Sequence, residues 1–120
     1  MMRPHHKLEV WTRSIDLVTK LYDATKVFPP DETFGLTSQM RRAAVSIPAN
    51  ISEGAARQTT KEFLQFLSIA QGSSSELETE LLIAVNLGYL PRSEFEDLIA
   101  DIASISRMLI GLSKHLRSKG

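Results

Sequence analysis

The chain has 120 residues, 42% of them hydrophobic, with fourteen basic and fourteen acidic side chains and therefore no net formal charge. That length suits one domain with a real core, and the neutral balance argues against a generic polyanion binder. Without cysteine there is no disulfide framework and no thiolate metal site.

No apolar run approaches the roughly 20 residues of a membrane span. Met1 to Lys7 is basic, but Leu8 to Arg13 does not continue as a signal-peptide apolar core, so a cytoplasmic protein is expected. The charge is unevenly distributed. Residues 1–61 carry nine Lys/Arg against six Asp/Glu, and residues 62–101 carry Arg92 alone against eight acids. Residues 102–120 carry four cations and no acid. Basic ends flank an acidic middle, which pairing between helices or simple solvation explains.

Leu8, Trp11, Ile15, Val18, Leu21 and Tyr22 form a helical stripe, predicting a first helix over 8–27. Phe28-Pro29-Pro30-Asp31 ends it, because proline lacks the amide donor and restricts the residue before it. Phe34-Gly35-Leu36 is a connector whose apolar residues are expected to fold back on the bundle. Thr37 is the expected N-cap of a second helix over 37–54, with Met40, Ala44, Ile47 and Ile51 on its apolar face. Pro48 interrupts this helix and leaves the Ala44 carbonyl in need of a side-chain or water partner.

Gly54 to Thr60 is a turn, and Thr59 or Thr60 caps a third helix over 60–87 with Glu62 in its first turn. Phe63, Phe66, Leu67, Ala70, Ser74, Leu77, Leu81 and Ala84 form its core stripe. The Gly72-Ser73-Ser74-Ser75 tract is poor in helix propensity. It is kept helical because the apolar phase agrees on both sides, and its small residues would admit a close neighbour. Gly88 ends this helix, and Ser93 with Glu96 caps a fourth over 93–114. Leu98, Ile102, Ile105, Leu109 and Leu112 give its core face, followed by a fraying polar tail. Extra apolar residues on the third helix (Leu64, Leu82, Ile83, Val85) and on the fourth (Ile99, Met108, Ile110) suggest a second buried face and hence self-association.

Catalytic signatures are lacking. His5, His6 and His115 do not converge, and there is no Glu-x-x-His pair, phosphate loop or nucleophile elbow. Neither an enzyme nor a metal or other cofactor is expected. Glu78 and Glu80 read as solvated surface acids. A polar stripe, Arg42, Ser46, Asn50, Glu53 and Arg57, runs along the second helix. Folding the third helix back brings Arg42 near Ser73 to Glu76. A buried or half-buried Arg42–Glu76 pair, with Ser46 or Ser74 beside it, would fix helix register. Asn50 and Glu53 would steady the proline-disturbed backbone. The exposed cations Arg41, Arg57 and Lys61, and Arg13, Lys20, Arg107, Lys114 and Arg117, are the candidates for contacting phosphates.

Phe34-Gly35-Leu36-Thr37-Ser38-Gln39-Met40-Arg41-Arg42-Ala43-Ala44, then Ser46-Ile47-Pro48-Ala49-Asn50-Ile51 with Glu53-Gly54, then Gly72-Ser73 with Glu76-Leu77-Glu78, and Leu87-Gly88-Tyr89-Leu90 form a connected pattern. It resembles the bacterial 23S rRNA intervening-sequence protein family from about Trp11 to Leu112. The resemblance implies an all-α, antiparallel up-and-down four-helix bundle assembling as a ring-shaped homopentamer. A similar protein is the nucleic-acid-binding accessory of the reverse transcriptase of diversity-generating retroelements. It therefore implies a non-catalytic accessory for structured RNA or a reverse-transcription complex. A structural oligomer or protein-interaction scaffold is the alternative. A ring would repeat a modest basic patch around its axis, so a neutral chain could present a continuous basic surface.

Overall fold

The computed structural model describes residue 5 and residues 8–119. Four helices make up the fold: α1 (Glu9–Thr25), α2 (Leu36–Ala55), α3 (Thr60–Asn86) and α4 (Arg92–Lys119), with a single 3-10 turn at Pro30–Glu32 between α1 and α2. There is no strand among the described residues. Each helix packs on two others in the cyclic order α1, α2, α3, α4, and the α2–α3 interface is the largest.

The buried stripe of α1 is Val10, Ser14, Leu17, Leu21 and Ala24. This differs from the expected stripe: Ile15 and Tyr22 lie on the exposed shoulder, and Ser14 occupies the core. Ser14 can do so because its hydroxyl donates to the Trp11 carbonyl at 2.8 Å, leaving no bare polar group inside. Phe34 does not fold back on the bundle but is 97% exposed.

Helix α2 starts one residue before Thr37. The Glu32 carboxylate, not Thr37, accepts from its first amide, Leu36 N–H, at 3.1 Å. Glu32 also accepts from the Tyr89 hydroxyl at 2.9 Å, which ties the α3–α4 connection to this helix start. This hydrogen bond to a carboxylate holds the Tyr89 proton on, raising its pKa. At the start of α3, Thr59 accepts from Glu62 N–H at 3.2 Å and donates to the Glu62 carboxylate at 2.8 Å. Gly88, at φ 79°, follows the end of α3 in the left-handed region that glycine tolerates.

Pro48 is buried within a continuous α2. The expected side-chain partner for the Ala44 carbonyl is not found among the described residues. Polar support comes at the next turn, where the Asn50 amide donates to both the carbonyl and the hydroxyl of Ser46, at 2.8 and 2.9 Å. The fourth helix does not fray at Lys114 but continues to Lys119.

The close approach that small residues permit occurs at Gly54, inside the last turn of α2. A Cβ there would fall 2.8 Å from the Phe66 Cβ and 2.9 Å from Phe63 Cδ1. A Cβ on Gly72 would meet nothing within 4 Å, so the tract expected to admit a neighbour faces open space at its glycine. The two glycines therefore predict opposite outcomes in chemical denaturation. Gly54→Ala should destabilise by about 1–2 kcal/mol, its overlap with Phe66 exceeding the helix-propensity gain. Gly72→Ala in the monomeric fold should stabilise by about 0.5–1 kcal/mol.

Candidate nucleic-acid interface

The expected buried ion pair across α2 and α3 does not form. Arg42 and Glu76 are both exposed and make no ion pair with each other, although they line one cleft of about 260 Å³ with Gln39, Ser46 and Ser73. The helices are joined there by neutral groups. The Ser73 hydroxyl donates to the Ser46 hydroxyl at 2.8 Å, and Asn50 braces Ser46 from the other side. Ser74, expected beside the pair, is buried in the core face one residue further on. Glu53 faces Arg57 at 3.7 Å, both being about half exposed. Since Arg42 and Glu76 are exposed, a double-mutant cycle on them should be additive to within about 0.5 kcal/mol.

The buried acid is Glu80. It is only 5% exposed, and its Oε1 has no hydrogen-bond partner. Burial, then a hydrogen bond with Glu76, then the charge of Glu76 push its pKa from 4.5 up to about 7. The expectation of a solvated surface acid is thus overturned. Glu80 lies three residues after Leu77 and four before Ala84, both fully buried, and that spacing was a signal of burial.

Folded Glu80 keeps its proton to about pH 7, whereas the unfolded side chain releases it near 4.5. Folding therefore takes up a proton between those values. Its contribution is fully present below about pH 4.5, is lost as pH rises to about 7, and is constant above. At about 1.4 kcal/mol per pK unit, the loss is at most about 3.5 kcal/mol. Glu80→Gln cannot ionise. Its urea-unfolding stability should be flatter across this pH range than that of the unmodified chain.

The candidate cations fall into two groups. Several are committed within the fold. Lys20 of α1 pairs with Asp97 at 2.7 Å and with Asp101 of α4. Hydrogen bonding to Asp101 and then Asp97 raises its pKa. Arg41 donates through Nε to the Thr25 hydroxyl at 2.9 Å and through one terminal nitrogen to the Tyr22 carbonyl at 3.3 Å, with its guanidinium 4.5 Å above the Tyr22 ring. Tyr22 thus packs beneath a cation at the surface instead of in the core. Arg57 lies 4.9 Å over the Phe66 ring, and Arg13 faces Glu9 at 3.6 Å.

Lys61, Arg107, Lys114 and Arg117 are exposed and make no ion pair or hydrogen bond among the described residues. Arg117 borders a cleft of about 180 Å³ between α3 and α4, where Gln71 donates to the Ser106 hydroxyl at 2.8 Å. Arg41 and Arg57, grouped by their nearness to α2, are sixteen positions apart. At 1.5 Å per residue that is about 24 Å of helix, so they do not converge. His6 lies outside the described residues. Among the described residues no three His, Asp or Glu side chains gather as a metal group, and no helix is long and apolar enough to cross a membrane.

Four amphipathic helices in a cyclic bundle, with a buried acid and a set of exposed, unpaired cations among the described residues, define an all-α helical-bundle protein. The chain belongs to the 23S rRNA-intervening sequence protein family, whose model matches residues 6–111. It is also similar in structure to a Bacteroides thetaiotaomicron VPI-5482 protein of the S23 ribosomal protein family, itself of unknown function and solved at 1.70 Å resolution. The two share 26% sequence identity with a TM-score of 0.79, over 88% of this chain and 98% of that one. No curated protein matches the chain.

Proposed function

We propose that this protein is a non-catalytic, oligomeric nucleic-acid accessory that holds structured RNA, or an RNA within a reverse-transcription complex, by phosphate contacts. The observation that carries this reading is the set of unpaired cations Lys61, Arg107, Lys114 and Arg117, found in a chain whose family is named for an insertion in ribosomal RNA. Cations with no protein partner need not break an internal bond to meet a phosphate.

The cross-helix contacts support an antiparallel, up-and-down bundle. Ser46 meets Ser73 while Gly54 lies against Phe63 and Phe66, so position numbers fall along α2 as they rise along α3. Lys20 with Asp101 and Gln71 with Ser106 extend the pattern to α4. In that arrangement the start of α3 lies beside the end of α4, and Lys61, Lys114 and Arg117 share one end of the bundle. The acids Glu94, Glu96 and Asp97 then stand at the other end.

Self-association into a ring, as a homopentamer, is supported by exposed apolar side chains. Ile69, Ile83 and Leu87 recur at helical spacing on α3, joined by Leu82 and by Ile110 of α4. A closed ring would bury such a surface and repeat the cationic end around its axis.

Light scattering at micromolar concentration is expected to give a mass several times the 13.4 kDa of the chain. Affinity for a structured RNA should fall as salt rises, with a log–log slope near −0.9 for each phosphate neutralised on a duplex. Replacing Arg107, Lys114 and Arg117 together by Gln should flatten that slope and leave the oligomer intact. An oligomer that binds neither RNA nor DNA at low salt would rule out the accessory role and leave a protein scaffold as the reading.

A further inference from the structure

A second cationic surface lies where α1 hands over to α2. Arg41, Arg42, Thr37, Ser38 and Phe34 line a cleft of about 510 Å³ together with Lys26, which is paired with Asp23 at 3.7 Å, and no carboxylate is among the lining residues themselves. The nearby Glu32 has both oxygens engaged, one by Leu36 N–H and the other by the Tyr89 hydroxyl. Arg42 has no ion pair or hydrogen bond among the described residues. Arg41 spends Nε and one terminal nitrogen on α1, leaving its other terminal nitrogen unbonded.

Thr37 and Ser38 stand in the first turn of the 20-residue α2, where amide hydrogens face outward and the helix dipole favours an anion. A separate observation marks the cleft as a ligand site. The Thr37 hydroxyl oxygen is buried and has no hydrogen-bond partner, in a side chain only 8% exposed. Such a group is costly unless something supplies its missing bond. Beside it, Phe34 at 97% exposure offers a bare aromatic face, whereas the Tyr22 ring of the same cleft is already covered by Arg41.

We propose that this cleft seats one unpaired nucleotide of a single-stranded nucleic acid. Its phosphate is held by Arg42, Arg41 and the Thr37–Ser38 turn, and its base is stacked on Phe34. A simple anion would use the arginines and the helix end but not the ring, and an apolar partner would use the ring but not the two arginines. A nucleotide uses both, since every base has a face for stacking and every link a phosphate. The inference rests on the nucleic-acid reading above but assigns it a different surface from the Lys61–Arg117 end.

The test is fluorescence anisotropy with a short labelled oligouridylate, its deoxy counterpart and a duplex of equal length, on the intact oligomer. Phe34→Ala should weaken single-strand binding about 5- to 150-fold, the range for losing one stacked base. Arg42→Gln should make the single-strand log–log salt slope shallower by about 0.7. Thr37→Val, which removes the unpartnered hydroxyl without changing side-chain size, should weaken binding about tenfold while raising thermal stability.

All three should affect the duplex less, and equal losses on RNA and DNA would place recognition at the base face and phosphate and not at the 2′-hydroxyl. If oligonucleotides bind but all three variants match the unmodified chain, the cleft assignment fails and the accessory role stands. Complete displacement by inorganic phosphate together with indifference to Phe34→Ala would mark a plain anion site and overturn the nucleotide. Dissociation of the oligomer by Phe34→Ala would assign that ring to a second copy and overturn it as well.

Discussion

The crossing of α2 and α3 is the constraint on which the remaining geometry depends. At one point Gly54 lets the Phe63 and Phe66 side chains lie against the α2 backbone, where a Cβ would leave no room. At another, two serine hydroxyls meet at 2.8 Å, and Asn50 completes the polar link on the α2 side. Between them lie the buried Ile47, Pro48 and Ile51. Fixing two points along two helices fixes their separation and their register together. The α1 and α4 helices then close the bundle through the Lys20 pairs and the Gln71–Ser106 bond.

Neutral hydroxyls suit this position better than the expected ion pair. Two charges removed from water need near-ideal geometry to recover their solvation, and exposed charges contribute little. Hydroxyls are cheaper to bury, and each can both donate and accept. Arg42 is thereby left exposed at the edge of the crossing. Glu80 on α3 is the exception, a buried acid whose pKa is raised to about 7 so that it enters the fold largely protonated below neutrality.

Much of the fold was legible from periodicity. The α3 phase ran unbroken through Gly72-Ser73-Ser74-Ser75, and Thr59 with Glu62 marked the helix start. The errors share a cause: periodicity identifies a face by its apolar members and is blind to polar groups that satisfy themselves locally. Ser14 took a core place by bonding its own helix, so the α1 stripe was read along Ile15 and Tyr22. Glu32 reaches forward to cap α2 at Leu36 N–H, a bond that no rule centred on Thr37 could reveal. Of the candidate cations, sequence could name each one but not which were occupied. Lys20 and Arg41 find partners on other helices, and that depends on packing.

Gly72 sits in the middle of the longest stretch of α3, has no neighbour that its missing side chain would hit, and is followed by three serines. Within one subunit no close contact requires the glycine itself, whereas Ser73 bonds to Ser46 across the crossing and Ser74 is buried. This low-propensity waist divides α3 into two halves with different supports. The earlier half lies against Gly54 and is tied to α4 at Ser106, and the later half carries Leu77, Leu81, Ala84 and the buried Glu80. Weak intrinsic propensity at this point is offset by the crossing, so the amide hydrogens of α3 should exchange as one block while the Ser46–Ser73 bond stands and as two protected blocks separated by a fast seam once Ser73→Ala removes it.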